Sequence, residues 1–203
     1  MTPMPDARFP DRLRLPLDFE PERLAADMAN FGRADWIAHF VTQNYDGDWS
    51  AIPLRGVAGA RHPVQMIYAD PSRSDFEDAP ALAGLPYFRQ VLESFACPLQ
   101  AVRLMRLTPG SVIKEHRDHE LSFEEGTVRI HIPVTTNEAV DFRLNGSRCV
   151  MPAGSAWYLR LSDPHSVANR GPADRVHMVI DALVNDWLTG LFDRAAGAAG
   201  RAA

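Results

Sequence analysis

The chain has 203 residues, of which 46% are hydrophobic and 23% charged, so it is long and apolar enough to fold around a core. Its 26 acidic and 21 basic residues give a formal net charge of −5, which argues against a nucleic-acid partner, since nucleic-acid-binding proteins usually carry a basic excess. Two cysteines exclude a disulfide framework and a four-cysteine zinc site within one chain. Neither a membrane-spanning apolar run nor a signal-peptide pattern is evident, so we expect a cytoplasmic protein with no membrane partner.

The N-terminal part of the sequence predicts three helical segments and one strand. In chain order, the predicted elements are an arm or edge segment over residues 1–15, a helix over 20–31, a helix or turn over 35–44, a strand over 49–55, a loop over 70–84 and a helix over 87–95. Pro21 suits the first turn of its helix, because proline lacks only an N–H that a first turn leaves unbonded. Pro53 indicates that the strand over 49–55 lies near a sheet edge.

From residue 99 onward the pattern changes to short alternating runs that are separated by turns. The predicted strands cover residues 100–107, 126–134, 141–144, 148–151, 155–161 and 175–180. Asn145-Gly146 is the strongest hairpin signal, because both residue types accept the positive φ angles of a two-residue turn. So many short strands predict a β-sandwich or barrel, and residues 182–199 predict a C-terminal helix.

The tripeptide His116-Arg117-Asp118 is the first candidate for chemistry. Residues two apart share a face of an extended strand, so the imidazole of His116 and the carboxylate of Asp118 are predicted to project together. His165, at a proline-containing turn after a predicted strand, is the best candidate for a third ligand. Two histidines and one carboxylate form the facial triad that holds non-haem Fe(II) with open coordination positions. A solvated surface turn is the alternative interpretation.

Arg175 begins the last predicted strand and is a candidate for binding an anion. One face of that strand is apolar and the other carries Arg175, His177 and Asp181. If the polar face points into the barrel, the rigid guanidinium fork of Arg175 suits the carboxylate of a cosubstrate. The alternative is an ion pair between Arg175 and a nearby acid, either Asp174 or Asp181.

Arg129 and His131 repeat this pattern on another predicted strand. They share one face, while apolar residues occupy the other face of residues 128–132. A strand of this kind suits a barrel whose interior holds an anion, although an edge strand with a solvated polar face would look the same.

For substrate binding the candidates are Trp49 and Arg55 at the substrate entrance, and Arg143 as a partner for a substrate carboxylate. Packing and plain surface exposure are the alternatives for these three residues.

The stretch from residue 103 to residue 181 resembles the aspartyl/asparaginyl β-hydroxylase family, a branch of the Fe(II)/2-oxoglutarate-dependent dioxygenases that includes bacterial proline hydroxylases. The resemblance is carried by short motifs in the family's order: Met105-Arg106-Leu107-Thr108-Pro109-Gly110, Glu115-His116-Arg117-Asp118, Val128-Arg129-Ile130-His131-Ile132-Pro133, Phe142-Arg143-Leu144-Asn145-Gly146, Trp157-Tyr158-Leu159, Pro164-His165-Ser166-Val167-Ala168-Asn169-Arg170-Gly171 and Asp174-Arg175-Val176-His177-Met178-Val179-Ile180-Asp181. The resemblance implies a mainly β fold with flanking helices, namely a double-stranded β-helix, or cupin-like jelly roll.

The resemblance also implies a role for most of the candidate residues. His116, Asp118 and His165 match the metal ligands, with Asp118 indicating the bacterial type because the animal enzymes lack that acid. Arg175 matches the arginine that binds the distal carboxylate of 2-oxoglutarate, while Arg129 and His131 match a strand pair that lines the cosubstrate pocket.

The predicted organisation is one dioxygenase domain over residues 1–203. Residues 1–98 form a support region of helices and strands, residues 99–181 the metal-binding jelly-roll core, and residues 182–203 a C-terminal helix and tail. The predicted activity is hydroxylation of a free amino acid or an amino-acid side chain of the Asp, Asn or Pro kind. Fe(II), 2-oxoglutarate and O₂ take part, and 2-oxoglutarate is decarboxylated to succinate. The alternatives are a cupin-type metalloenzyme that does not use 2-oxoglutarate, and a non-catalytic barrel binding module.

Overall fold

The computed structural model describes residues 7–68, 70 and 72–202, which fold into two antiparallel β-sheets with four α-helices. The strands are β1 (Arg12–Asp18), β2 (Ile37–Ala38), β3 (Tyr45–Asp46), β4 (Trp49–Val57), β5 (Phe76–Asp78), β6 (Leu99–Leu107), β7 (Val112–His116), β8 (Thr127–Thr135), β9 (Val140–Leu144), β10 (Ser147–Cys149), β11 (Ser155–Leu159), β12 (His165–Asn169) and β13 (Arg175–Leu183). The helices are α1 (Pro21–Met28), α2 (Pro63–Ile67), α3 (Pro86–Glu93) and α4 (Asp186–Ala202).

The strands form one large and one small sheet. The large sheet has eight strands in the order β1-β11-β8-β13-β6-β4-β2, with β5 paired to β4, and the small sheet has the order β10-β9-β12-β7-β3. Strands from the first 98 residues therefore join both sheets. Apart from the β9–β10 hairpin, consecutive strands from β6 to β13 alternate between the sheets, which is the double-stranded β-helix, or jelly roll, that the sequence predicts.

The outer face of the large sheet is covered by α1, α3 and α4. Alternate residues of β13 (Val176, Met178 and Ile180) pack there with side chains from the helices, such as Phe88 and Phe192, in one buried apolar cluster. This confirms the predicted apolar face of that strand. No helix in the described part of the chain has the length and hydropathy needed to cross a lipid bilayer.

A second buried cluster fills the space between the sheets. Val179 and Leu159 of the large sheet pack there with Phe142, Val167 and other side chains of the small sheet. The remaining inward positions of β13 carry Arg175, His177 and Asp181, which are all buried. The polar face of this strand therefore points into the barrel, as predicted.

Several local predictions are confirmed. Helix α1 begins at Pro21, and the helix predicted over 87–95 is α3. Asn145 and Gly146 have φ angles of 51° and 74° and form the turn between β9 and β10. Pro53 lies where the pairing between β4 and β6 shifts register, so its missing N–H interrupts no regular ladder.

Other predicted boundaries are wrong. The loop predicted over 70–84 contains β5 and a 3₁₀ turn. Of the two alternatives predicted for residues 35–44, a helix or a turn, the structure has short turns, together with the two-residue strand β2. The C-terminal helix begins at residue 186, not at 182, because β13 continues to residue 183. Strands β7 and β12 were not predicted as separate strands. Residues 1–6 of the predicted arm and residue 71 of the predicted loop lie outside the described residues.

Candidate active site

A cavity of about 830 Å³ opens between the two sheets, within the usual size range of ligand sites. Its lining contains all six of the residues predicted to bind metal or cosubstrate: His116, Asp118, Arg129, His131, His165 and Arg175. Four separate strands and the loop after β7 contribute these side chains. The fold therefore brings together residues that are as much as 59 positions apart, from His116 to Arg175.

His116 and His165 are paired across neighbouring strands, at the end of β7 and the start of β12. Their ring centroids are 4.3 Å apart. Nδ1 of His116 lies 2.8 Å from the carbonyl oxygen of Lys114, and Nδ1 of His165 lies 3.0 Å from that of Asp163. Because a carbonyl only accepts, each Nδ1 donates a hydrogen, and each ring keeps the lone pair of Nε2 for another partner.

Asp118 completes the cluster from the loop that follows β7. Its backbone N–H donates to the carbonyl of Leu161 at 2.9 Å, and its Oδ1 lies 3.5 Å from Nε2 of His116. One ligand atom from each of His116, Asp118 and His165 lies within 4.8 Å of the others. The predicted common direction of His116 and Asp118 is therefore correct, but its cause is the hydrogen bond to Leu161 and not a continuous strand.

The pKa shifts of His165 and Asp118 favour the forms of these groups that bind a divalent cation, whereas the shift of His116 is in the other direction. Burial lowers the pKa of His165 to about 4, so this imidazole is neutral at pH 7. Burial alone would lower the pKa of His116, but hydrogen bonds to Asp118 and to the Lys114 carbonyl raise it on balance. Burial opposes ionisation of Asp118, yet the hydrogen bond with His116 and the charge of Arg129 hold its pKa well below the usual range. Two imidazole nitrogens and one carboxylate oxygen are donors that fit Fe(II).

Arg175 is the second notable feature of the cavity. Its side chain is buried, its Nη2 donates to Nδ1 of His177 at 2.9 Å, and its Nε has no hydrogen-bond partner among the described residues. The described part of the chain gives it no ion pair, so the predicted alternatives, Asp174 and Asp181, are both wrong as partners. Burial lowers its pKa to about 9, which leaves the guanidinium charged at neutral pH.

Two further histidines lie beside Arg175. Nδ1 of His131 is 3.4 Å from Nδ1 of His177, and Nε2 of His131 is buried with no partner among the described residues. Burial and the charge of Arg175 hold the pKa of both histidines well below the ordinary value, so both rings are neutral. The cavity therefore has an unbonded N–H of Arg175 beside the uncompensated positive charge of the same side chain, which fits an anionic ligand.

Arg129 differs from Arg175 because protein carboxylates surround it. Its Nη1 donates to Oδ2 of Asp118 at 2.7 Å, and its Nε donates to Oδ1 of Asp181 at 2.6 Å. Asp181 also accepts from Arg103, whose Nη1 donates to the carbonyl of Ile67 at 2.8 Å. These four charged side chains form one buried network on the cavity wall.

The predicted substrate residues have different surroundings. Trp49 lines the cavity, stacks on His39 with ring centroids 3.5 Å apart, and has a buried Nε1 without a partner in the described chain. Arg55 does not line the cavity, because it bonds Asp78 and the carbonyl of Leu99. Arg143 is exposed on β9, where it bonds Asp141 and not a cavity group.

Among the cavity residues that sequence reasoning missed are His39 and Arg103, and it also missed the pairing of Asp181 with two arginines. Arg103 is the one charged inward position of an otherwise apolar stretch of β6, so its isolation there was a usable signal. His39 lies in an irregular segment without periodicity, and only its stacking on Trp49 places it in the site.

Known proteins resemble this chain in sequence and in fold. The family model described as Aspartyl/Asparaginyl beta-hydroxylase matches residues 22–184. L-proline cis-4-hydroxylase of Rhizobium meliloti (strain 1021) is 28% identical over 173 residues, which are 80% of this chain and 57% of that protein, so the chain spans little more than half of that relative's length. The crystal structure of an oxidoreductase of the 2OG-Fe(II) oxygenase family from Burkholderia pseudomallei aligns with a TM-score of 0.50 and 12% identity, covering 80% of this chain and 77% of that one.

The likeness to the Burkholderia pseudomallei structure is a likeness of fold, since only 12% of the aligned residues are identical. The family model, in contrast, matches the amino-acid sequence of this chain. That match begins in α1 and ends just after β13, so it includes every strand except β1 and all six of the residues predicted to bind metal or cosubstrate. The chain therefore belongs to the aspartyl/asparaginyl β-hydroxylase family.

Proposed function

We propose that this protein is an Fe(II)- and 2-oxoglutarate-dependent hydroxylase that acts on a free amino acid or on an amino-acid side chain of the Asp, Asn or Pro kind. One observation carries the proposal: the buried Arg175, which has no acidic partner among the described residues, lines the same cavity as the cluster of His116, Asp118 and His165. A cation site next to an uncompensated guanidinium suits a ligand with one group on the metal and a distant carboxylate, as in 2-oxoglutarate.

In this proposal each side chain of the cavity has a separate role. His116 and His165 present Nε2 to the metal, and Asp118 presents Oδ1, while their other polar atoms are held by the protein. Arg175 binds and orients the distal carboxylate of 2-oxoglutarate, and His131 lines the same pocket. Arg129 also lines the pocket, but the N–H groups that it uses in the protein point to Asp118 and Asp181.

When bound, Fe(II) with O₂ supplies the oxidative decarboxylation of 2-oxoglutarate to succinate and CO₂ and the insertion of one oxygen atom into a substrate C–H bond. The neutral imidazole of His165 remains available as a donor at pH 7 because burial disfavours its protonation. Apolar side chains from both sheets, including Met105 of the large sheet and Phe142 of the small sheet, line the cavity and limit the access of water to its floor.

The substrate is proposed to lie on the open side of the metal cluster, against the aromatic wall of Trp49 and His39. Trp49 offers a flat apolar surface together with an unpartnered indole N–H. The 28% identical relative is named for its action on L-proline, so free L-proline is the first substrate to test. Aspartate, asparagine and short peptides that contain these residues follow.

We propose that residues 1–203 act as one domain. Support comes from the outer apolar cluster, which runs from Phe9 to Ala195 and joins the predicted support region, core and C-terminal helix.

We also propose a cytoplasmic location. Cys97 and Cys149 are both unpaired, which suits a reducing compartment such as the cytoplasm.

The decisive experiment combines metal loading with product analysis. The metal-free protein is reconstituted with Fe(II) and incubated with 2-oxoglutarate, O₂ and each amino acid, and succinate and the hydroxylated product are quantified by mass spectrometry. The expected result is equimolar succinate and a product heavier by one oxygen atom for at least one substrate. Turnover that does not need 2-oxoglutarate would support the cupin-type alternative, and failure to bind Fe(II) would support the non-catalytic binding module.

A further inference from the structure

Asp181 is a buried carboxylate whose two oxygens are both held by arginines. It lies on β13 directly opposite Arg129 of β8 and is 1% exposed. Nε of Arg129 donates to its Oδ1 at 2.6 Å, and Nη2 of Arg129 donates to its Oδ2 at 2.9 Å. Arg103 of β6 donates to the same Oδ2. The bidentate pairing fixes both the position and the plane of the Arg129 guanidinium.

Because the guanidinium is rigid, fixing its plane also fixes the direction of its remaining N–H groups. Nη1 of Arg129 donates to Oδ2 of Asp118 at 2.7 Å. Asp118 therefore has one oxygen committed to Arg129, and its Oδ1 is turned toward Nε2 of His116 at 3.5 Å. The protein in this way presents a single oxygen of Asp118 to the cluster of imidazoles.

We propose that Asp181 is a positioning residue of the metal site, which holds Arg129 so that Oδ1 of Asp118 stays turned toward the metal. The inference rests on the proposed function, because it takes His116, Asp118 and His165 as the metal ligands. Without this support the carboxylate of Asp118 would be free to turn away from the two imidazoles, and a metal ion would be bound more weakly.

Arg103 has a different part in this network. It balances the second negative charge, and its Nη1 is bonded to the carbonyl of Ile67 at the end of α2. The four side chains carry two positive and two negative charges, so they are neutral in total. Removal of Arg103 leaves the contact of Asp181 with Arg129 in place, whereas removal of the Asp181 carboxylate breaks it.

The competing explanation is that Asp181 affects metal binding only through the stability of the fold or through the net charge near the metal. A buried carboxylate that loses its charge destabilises many proteins, and Asp181→Asn also adds one net positive charge near the metal. Two comparisons separate these effects from positioning. Asp27→Asn alters a buried carboxylate that bonds the backbone N–H groups of Tyr87 and Phe88, outside the cavity lining. The double variant R103M/D181N restores the charge of the network without restoring the carboxylate.

The test is the binding of Co(II) to the metal-free protein, without 2-oxoglutarate or substrate. Calorimetry measures the affinity, and the visible spectrum reports the coordination of the bound metal. Circular dichroism and Tm establish that each variant is folded. For D181N we expect an affinity at least about tenfold lower than that of the wild type, within the range for residues that orient a ligand, and an altered Co(II) spectrum. We expect D27N to lower Tm and to leave the affinity and the spectrum unchanged.

The double variant decides the question. If Asp181 acts by positioning, R103M/D181N also loses at least about tenfold in Co(II) affinity, although its network charge equals that of the wild type. Wild-type affinity and spectrum in R103M/D181N would overturn the inference, and this variant serves equally if D181N alone does not fold. A wild-type protein that binds no Co(II) or Fe(II) would instead overturn the proposed function, so the two failures are distinguishable.

Discussion

Strand β13 carries two buried charged groups with opposite surroundings. At its start, Arg175 has a histidine partner and an unbonded Nε, and the described chain supplies no carboxylate for it. Near its end, Asp181 is enclosed by Arg129 and Arg103. The charge of Asp181 is therefore balanced within the protein, whereas the charge of Arg175 has no carboxylate counterpart among the described residues, as the proposed binding of an anionic cosubstrate requires. Variants of Arg175, of Asp181 and of the cavity wall between them test this difference.

The largest expected effect comes from removing the guanidinium of Arg175. Arg175→Met is expected to raise the KM for 2-oxoglutarate by about 100-fold or more, since a bidentate charged hydrogen bond to the distal carboxylate is lost. Steady-state succinate formation at varied 2-oxoglutarate checks this. Arg143→Met is the matched control, because Arg143 is exposed outside the cavity, and it should leave the KM within about twofold of wild type. An unchanged KM in Arg175→Met would mean that Arg175 does not bind the distal carboxylate of 2-oxoglutarate.

The second prediction concerns the stability of the Asp181 region. Asp181→Asn is expected to lower the free energy of unfolding of the metal-free protein by about 3–5 kcal/mol, because two buried arginines lose a shared partner. Burial opposes ionisation of Asp181, but the charges of Arg129 and Arg103 hold its pKa below the usual range. Urea denaturation provides the measurement. If Asp181→Asn lowers the free energy of unfolding by less than about 1 kcal/mol, the ion pairs of Asp181 with Arg129 and Arg103 contribute little to stability, which contradicts this prediction.

The third prediction has the opposite sign and concerns the same denaturation experiment. Arg175→Met is expected to increase the free energy of unfolding of the metal-free protein by about 1 kcal/mol, since it removes a buried charge that the described chain leaves without an ion pair. The gain is offset in part by the loss of the hydrogen bond to His177. A marked destabilisation by this variant would contradict the contrast between the two ends of β13.

The smallest effect is expected at the aromatic wall, between the two charged regions and the solvent. Trp49→Phe is expected to raise the KM for the amino-acid substrate by about threefold to tenfold, through the loss of stacking area and of an indole N–H. The KM for 2-oxoglutarate should stay at the wild-type value, because Arg175 is unchanged. Arg55→Met, which alters a residue outside the cavity lining, should change neither KM. Equal changes of both constants in Trp49→Phe would argue for a purely structural tryptophan.

Much of the fold was predictable because it depends on short-range patterns. The apolar face of β13, the turn at Asn145 and Gly146 and the start of α1 at Pro21 each follow from neighbouring residues alone. Strands β7 and β12 escaped prediction because they are short and interrupted by polar residues, such as Lys114 in β7. Their sheet partners, and not their own propensity, make them extended.

The candidate site was predictable in its residue types and less so in its pairings. The residues of the metal cluster were identified from the chemistry of histidine and carboxylate ligands together with family motifs. Arg129 and Arg175 have the same strand pattern, since each is an inward arginine, and in the sequence only the family resemblance gives them different roles. The structure shows the physical difference, because the partners of Arg129 come from the loop after β7 and from the end of β13.

The sequence by itself determined which faces of the strands are apolar, where the tight turn lies, and that imidazoles, a carboxylate and inward arginines occupy the core of the barrel. These properties depend on side-chain chemistry and on the two-residue period of a strand. The tertiary structure decided which charges meet. It turned Nε2 of His116 and His165 inward by bonding each Nδ1 to a carbonyl, joined Asp118 to Asp181 through Arg129, and left Arg175 without a carboxylate partner among the described residues. Strand order sets these contacts, and it brings together atoms that no local pattern relates.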